Sequence, residues 1–232
     1  MKVSVIIPVR DGARYIVSAI ESVLGQTRPP AEVLVIDDGS RDGTKDIVSQ
    51  LCACGVRLIR QRPAGAAAAR NHGVKLARYD LFAFLDADDL WTSTKLEQQY
   101  AELRSDAALD MVFGHVRHFV SPDVEPTVRA KLRCPEESIS GPHIGTMLIR
   151  REAFERVGSF ETEWEIGEFL AWYARAQLLG LREKMLPAVL LERRLHTANQ
   201  GILKRSERSA YVHILKKILD RRREDQLKLT LL

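Results

Sequence analysis

Leu81-Phe82-Ala83-Phe84-Leu85-Asp86-Ala87-Asp88-Asp89 is the stretch on which the fold turns. An apolar run passes directly into an acidic turn, so a rigid strand delivers several carboxylates to one point at a sheet edge. Similar β-branched runs lie upstream, at Val3 to Val9, Glu32 to Ile36 and Val56 to Gln61. Helical patterns separate them. Ile16, Ile20, Val23 and Leu24 recur at helical spacing, Asp42-Gly43-Thr44 opens a second helix, and Gly65 precedes an alanine-rich third. Short strands alternating with helices predict an α/β domain with a mostly parallel sheet flanked by helices, Rossmann-like in plan. Each strand ends in a polar turn: Arg10-Asp11-Gly12, Asp37-Asp38-Gly39-Ser40 and Asp86-Ala87-Asp88-Asp89. Ligands of open α/β sheets bind beyond the carboxyl ends of the strands, so these turns are expected to line one crevice.

Three clustered carboxylates repel one another unless a cation sits among them, and hard oxygen ligands favour Mg²⁺ or Mn²⁺. The competing reading is an acidic turn that caps the following helix. Asp38 could accept the N–H of a nucleobase or a ribose hydroxyl, while Asp-Gly is also a strong turn dipeptide on its own. In Gly65-Ala66-Ala67-Ala68-Ala69-Arg70-Asn71, the small residues allow close approach of helix and sheet, and Arg70 could fork onto a phosphate. A packed helix with a surface arginine would look the same.

Farther along, Thr94-x-x-Glu97 reads as a capping box for a helix to about Leu103, and Met111 to Val120 reads as a strand. Prolines and scattered charge from Ser121 to Gly141 predict a long loop or lid. Gly145 to Ile149 is small and apolar, a short helix from Arg151 stops at Gly158, and another runs from Glu168 to Leu179, closed by Gly180. The region from Glu207 to about Leu227 has Tyr211, Ile214, Leu215, Ile218 and Leu219 on one side, which predicts a basic amphipathic helix. Residues 1–205 are expected to form one domain, with residues 206–232 as a helical extension.

The net charge of +4 is concentrated at the end, where Gly201 to Leu232 carries nine Lys/Arg against four Asp/Glu. The body is close to neutral, which argues against nucleic acid as the main partner. Cys52, Cys54 and Cys134 are an odd number without the second pair of a zinc site, so they read as free thiols. No cleavage-site pattern follows Met1, and no apolar run approaches the ~20 residues that span a bilayer. A cytoplasmic location is the expectation.

The ordered motifs Val-Ser-Val-Ile-Ile-Pro (3–8), Val-Ile-Asp-Asp-Gly-Ser (35–40), Ala-Arg-Asn-His-Gly (69–73) and Phe-Leu-Asp-Ala-Asp-Asp (84–89) resemble family 2 glycosyltransferases of the GT-A fold over about residues 1–200. The resemblance implies a nucleotide-sugar donor, a UDP-sugar being favoured, a divalent cation (Mn²⁺ or Mg²⁺) and inversion at the anomeric carbon. Pro8, Val9, Arg10, Asp11, Asp38, Arg70 and Ala87 are then expected at the nucleotide, with Asp38 at the base and Arg70 at phosphate. Asp86 falls on the sugar side, and Asp88 is the metal ligand. Residues 1–110 would form the donor half and 111–205 the acceptor half. Glu168, in Gly167-Glu168-Phe169-Leu170-Ala171-Trp172, falls at the acceptor-site carboxylate and is the candidate general base. Arg194-Leu195-His196 resembles a late segment that reaches back to the diphosphate or metal, with His196 as ligand or clamp.

Two positions depart from the family pattern. Phe169 stands where an acid is usual, and Arg10 where an aromatic ring is frequent, though a guanidinium can also stack on a base. Phe169 keeps open a second reading, a weakened nucleotide-sugar-binding or regulatory protein on the same scaffold. A sugar nucleotidyltransferase would need a glycine-rich basic loop after the first strand, and an oxidoreductase a Gly-x-Gly-x-x-Gly; neither is present. The C-terminal helix could lie on an anionic membrane or pack on the body or a twin subunit. Its lack of bulky Trp/Phe anchors favours packing.

Overall fold

The computed structural model describes residues 1–164, 167–197 and 199. The basic helix expected within 206–232, and the membrane or dimer contact assigned to it, lie outside the described residues. Among those described, eight strands build one sheet: β1 (Val3–Val9), β2 (Glu32–Asp37), β3 (Val56–Arg60), β4 (Leu81–Phe84), β5 (Leu90–Trp91), β6 (Met111–Val120), β7 (Leu148–Arg150) and β8 (Glu183–Leu195). Their spatial order is β3-β2-β1-β4-β7-β6-β8-β5. The first four run parallel, with Val9 beside Asp37 and Ile6 beside Phe84. The expected strands and the helices between them thus stand within a residue or two of their predicted ends.

The second half is mixed rather than parallel. β7 is antiparallel to both β4 and β6, β8 is parallel to β6, and β5 is antiparallel to β8. β8 escapes sequence patterning because Pro187 and several charges interrupt it, and a proline normally argues against a strand interior. Here Pro187 falls in a register shift, since Met185 pairs with Phe113 but Val189 pairs with His115. The unpaired residues between accommodate the missing N–H.

Both faces of the parallel half are covered, and every residue of β1, β2 and β4 is buried. On one face Val5, Ile7, Leu81 and Ala83 pack against α1 (Ile16–Leu24), α2 (Thr44–Gln50) and α4 (Lys95–Ser105). On the other, Ile6, Phe82 and Phe84 meet α3 (Ala66–Leu76), α6 (Arg151–Val157) and α7 (Glu168–Leu178). A short helix, α5 (Pro126–Arg129), and a bridge between Val116 and Ile139 interrupt the predicted loop. Its start is tied to the turn before α1 by Asp123, which accepts from Tyr15 Oη and pairs with Arg14.

The capping box is not formed. Thr94 Oγ1 accepts from the Gln98 amide, and Glu97 accepts from the Thr27 hydroxyl, so both side chains point away from the helix start. No helix among the described residues is long and apolar enough to cross a membrane.

Gly73 sets how closely α3 approaches the sheet, because a Cβ there would collide with the side chain of Ile6 and come within 3.3 Å of Ile36. Gly73→Val is expected to lower the unfolding free energy by about 1–3 kcal/mol through overpacking. Urea denaturation reads this, and an unchanged midpoint would show that α3 can retreat without loss.

Candidate active site

The turns after β1 and β2 are stitched together by side chain to backbone bonds. Ser40 Oγ accepts from Asp11 N at 2.9 Å, Thr44 Oγ1 from Gly12 N at 2.9 Å, and Asp11 Oδ1 from Arg41 N at 2.7 Å. Asp11 itself takes a left-handed φ of 52°, which a short polar side chain tolerates. Gly39 is needed in its turn: its φ is 76°, and a Cβ there would strike the ring of Pro63 at 2.6 Å.

The two aspartates of the β2 turn divide their work. Asp37 is wholly buried and structural, with Oδ1 accepting from Ser40 N at 2.7 Å and Oδ2 3.3 Å from Arg60 Nε. Asp38 lines the cleft and also braces the loop before α3. Its Oδ1 accepts from Gln61 Nε2 and Ala64 N, and its Oδ2 from Gly65 N, each at 2.8 Å. A carboxylate offers about four lone-pair sites, so three donors leave one for a ligand N–H or O–H.

Arg70 is the centre of the site. Its side chain is 5% exposed, and its guanidinium donates through Nη2 to Asp86 Oδ1 at 2.6 Å and through Nη1 to Glu168 Oε1 at 2.5 Å. One cation from α3 thereby joins the end of β4 to the first residue of α7. Nε of Arg70 is buried with no acceptor among the described residues. Burial alone would raise the Asp86 carboxyl, but the charge and hydrogen bond of Arg70 outweigh it and hold the group below its ordinary 3.8. Asn71, next on the helix, exchanges two bonds with the backbone of Phe160, at 2.8 and 2.9 Å. This pins the segment that leads toward α7.

Asp88 and Asp89 turn to β8 and the residues after it. His196 Nε2 lies 2.9 Å from Asp88 Oδ2, and Asn199 Nδ2 donates to the same oxygen at 3.2 Å. Asn199 Oδ1 accepts from His196 N at 2.6 Å, fixing the turn. Asp89 does not cap the next helix. It accepts from Arg194 N at 2.9 Å, while Arg194 Nε donates to Asp88 O at 2.9 Å and its guanidinium rests between the Tyr15 and Phe119 rings.

Among the described residues, no three His, Cys, Asp or Glu side chains converge to enclose a metal ion. Mg²⁺ and Mn²⁺ commonly take only one or two protein ligands and complete the shell with substrate phosphate and water. Two neighbouring ligands on a small octahedral ion stand about 3 Å apart, given ~2.1 Å bonds. The 2.9 Å separation of Asp88 Oδ2 and His196 Nε2 fits that edge as well as it fits a hydrogen bond. The donor set is therefore compatible with a divalent cation whose remaining ligands come from a diphosphate.

All the residues expected in the site (Pro8, Val9, Arg10, Asp11, Asp38, Arg70, Asp86, Ala87, Asp88, Glu168 and His196) line one cleft of about 750 Å³ beyond the carboxyl ends of β1, β2 and β4. Arg10 is half-exposed and 4.0 Å from Asp11. Phe169 forms part of the wall, packed on Phe113, Trp172 and Tyr173 with ring centroids 6.4, 6.3 and 6.1 Å away. The cleft also contains His143, Arg193, Tyr15 and Asn199, which sequence reasoning missed. Arg193 went unseen because β8 did, whereas Asn199 carried a readable signal in its place three residues after His196.

The model of glycosyl transferase family 2 matches residues 4–158 of this sequence. The chain belongs to that family. It is 40% identical over 119 residues to an uncharacterized glycosyltransferase of Rickettsia felis, a match covering 50% of this chain and 19% of that one. It is 32% identical over 122 residues to the Escherichia coli UDP-Glc:alpha-D-GlcNAc-diphosphoundecaprenol beta-1,3-glucosyltransferase WfaP, covering 52% of this chain and 47% of the relative. The matched segments thus span less than half of either relative. The crystal structure of S. aureus TarS 1-349 in complex with UDP-GlcNAc superposes with a TM-score of 0.69 at 20% identity, covering 86% of this chain and 60% of that one. At that identity the likeness establishes the GT-A fold of the family 2 chain.

Removing the central cation strands two carboxylates. Arg70→Met is expected to destabilise the protein by about 3 kcal/mol, the low end for breaking a buried pair, because Asp86 is 34% exposed. Asp89 gives a pH-dependent outcome. Its carboxyl is pushed well above 3.8 by burial and then by the charges of Asp88 and Asp86. The folded state therefore binds this proton more tightly than the unfolded one, and stability falls as pH rises from 3.8 through the folded value. Asp89→Asn keeps an acceptor for Arg194 N, so in EDTA-treated protein its advantage over wild type should vanish below pH 3.8 and grow above it. Urea unfolding across that range checks this, and a difference independent of pH would locate the effect elsewhere.

Proposed function

We propose that this protein is a glycosyltransferase that moves a sugar from a nucleoside-diphosphate sugar, with a UDP-sugar favoured, to an acceptor hydroxyl with inversion at the anomeric carbon. The observation that carries the reading is the convergence of Asp38, Asp86, Asp88 and Glu168 on one cleft at the strand ends. The relative named for UDP-Glc and the neighbour bound to UDP-GlcNAc support the choice of base.

The open lone-pair site of Asp38 suits the N–H of a uracil or a ribose hydroxyl, and the half-exposed Arg10 guanidinium can lie along the base. Asp86, held ionised by Arg70, faces the sugar hydroxyls. Asp88 and His196 would hold Mn²⁺ or Mg²⁺, which when bound neutralises the departing diphosphate. Glu168 has one oxygen committed to Arg70, while Oε2 has no partner among the described residues. That oxygen takes the acceptor hydroxyl proton as the acceptor oxygen bonds the anomeric carbon. The bond from that carbon to the diphosphate oxygen breaks at the opposite side, and its electron pair leaves with the diphosphate. On this reading residues 1–110 bind the donor and 111–205 present the acceptor.

Calorimetric titration should show UDP binding that Mn²⁺ strengthens, with the metal-dependent part lost in Asp88→Ala. Glu168→Gln should keep UDP binding yet slow UDP release from UDP-glucose or UDP-GlcNAc by about 10²- to 10⁴-fold, the usual contribution of a general base. Nucleotide binding without turnover by the wild type, with water or with any sugar acceptor, would favour a binding protein on the same scaffold.

A further inference from the structure

Neighbouring arginines on β8 face different environments. Arg194 is buried and fully engaged, with Asp88 O, Ser18, Ser121 and two aromatic rings around its guanidinium. Arg193 is half-buried and lines the cleft, and its guanidinium makes no hydrogen bond or ion pair among the described residues. It lies close enough to act electrostatically on Asp86, Asp89, His118 and His143. Of the other arginines that line the cleft, Arg70 is matched by two carboxylates and Arg14 by Asp123, while the half-exposed Arg10 lies 4.0 Å from Asp11. A partly desolvated guanidinium with unused donors is a strong receptor for an oxyanion, because its planar fork matches a phosphate or carboxylate.

His143 shares this end of the cleft. Its Nδ1 accepts from Gly145 N at 3.1 Å, so the ring proton resides on Nε2. Burial, and secondly the charge of Arg193, keep the ring neutral down to a pKa of about 4. A neutral Nε2–H beside a cation is a second donor that adds no repulsion.

Position then selects the ligand. Asp38 closes β2 on one side of β4, whereas Arg193 lies on β8 on the other side, near enough to Asp86 to act on its charge. A donor with its base at Asp38 and its sugar at Asp86 leaves the Arg193 end to the other substrate. We propose that Arg193 and His143 form an anion-binding subsite that receives a phosphate or carboxylate group carried by the acceptor. The assignment of this subsite to the acceptor rests on the glycosyltransferase reading; the anion binding itself does not.

Inorganic phosphate is the probe, titrated by calorimetry into the full chain with and without saturating UDP. Wild type should bind phosphate in both conditions, and Arg193→Gln should weaken it about tenfold or more, the loss of one charged hydrogen-bond set. Arg193→Lys should fall between them, while UDP affinity stays within about twofold in both variants. Melting temperatures without ligand verify that the variants fold. Phosphate affinity equal in wild type and Arg193→Gln would overturn the subsite. Phosphate competing with UDP, together with a tenfold loss of UDP affinity in Arg193→Gln, would assign Arg193 to the donor diphosphate and overturn the acceptor role. Failure of wild type to bind UDP would count against the glycosyltransferase reading alone, because Arg193-dependent phosphate binding remains measurable without nucleotide.

Discussion

The guanidinium of Arg70 holds this site together. It is nearly inaccessible to water, so its charge must be met inside the protein, and it meets Asp86 and Glu168 at 2.6 and 2.5 Å. These carboxylates come from the end of β4 and the start of α7, elements separated widely in the sequence. Two acids so close to one point would repel without the cation, and the cation would not remain buried without them. The three charges therefore fix one another, and they leave a net negative charge facing the cleft. Arg70 positions Asp86 and Glu168, and each of its two terminal nitrogens is engaged by one of these carboxylates.

A second set of bonds joins the two halves of the sheet. Arg194 N donates to Asp89 and its side chain to Asp88 O, so the acidic turn after β4 is bound to β8 by backbone as well as side chain. His196 and Asn199 then converge on Asp88 from the residues that follow. The three aspartates that look equivalent in sequence consequently perform distinct tasks. Asp86 pairs with a cation, Asp88 faces histidine in the open cleft, and Asp89 is buried against a strand. Its burial beside two other acids is a cost that the Arg194 N–H only partly offsets.

The first half of the fold was legible because parallel strands buried on both faces read as unbroken apolar runs, and their helices carry plain periodicity. Its polar turns could be assigned to one crevice from topology alone. The second half resisted for local reasons. β8 has Pro187 in a register shift and Glu-Arg-Arg near its end, so neither alternation nor β-propensity marks it, and Arg193 was lost with it. β5 is only two residues long. Thr94 and Glu97 have capping-box spacing, yet Thr27 offers Glu97 a hydroxyl from another element, and tertiary contact overrides the local motif. The pairing of Arg70 with Glu168, 98 residues apart in sequence, has no local signature at all.

Phe169 bears on whether the acidic residue beside it can act. Its ring is stacked nearly parallel to Trp172, 15° between planes, and meets Phe113 edge-on from β6. Trp172 is itself fully buried and donates to Gly158 O at 2.8 Å. The first turn of α7 is thereby anchored to the core through its second residue, and Glu168 projects from a fixed backbone. A second carboxylate at 169 would add repulsion next to Glu168 and expose a polar group to this aromatic cluster. A single carboxylate suffices for proton removal, and the helix N-terminus stabilises its charge. Phe169 therefore makes this part of the cleft wall apolar beside Glu168. On the proposed glycosyltransferase reading, the phenyl ring narrows what acceptor can enter and leaves Glu168 in place to activate it.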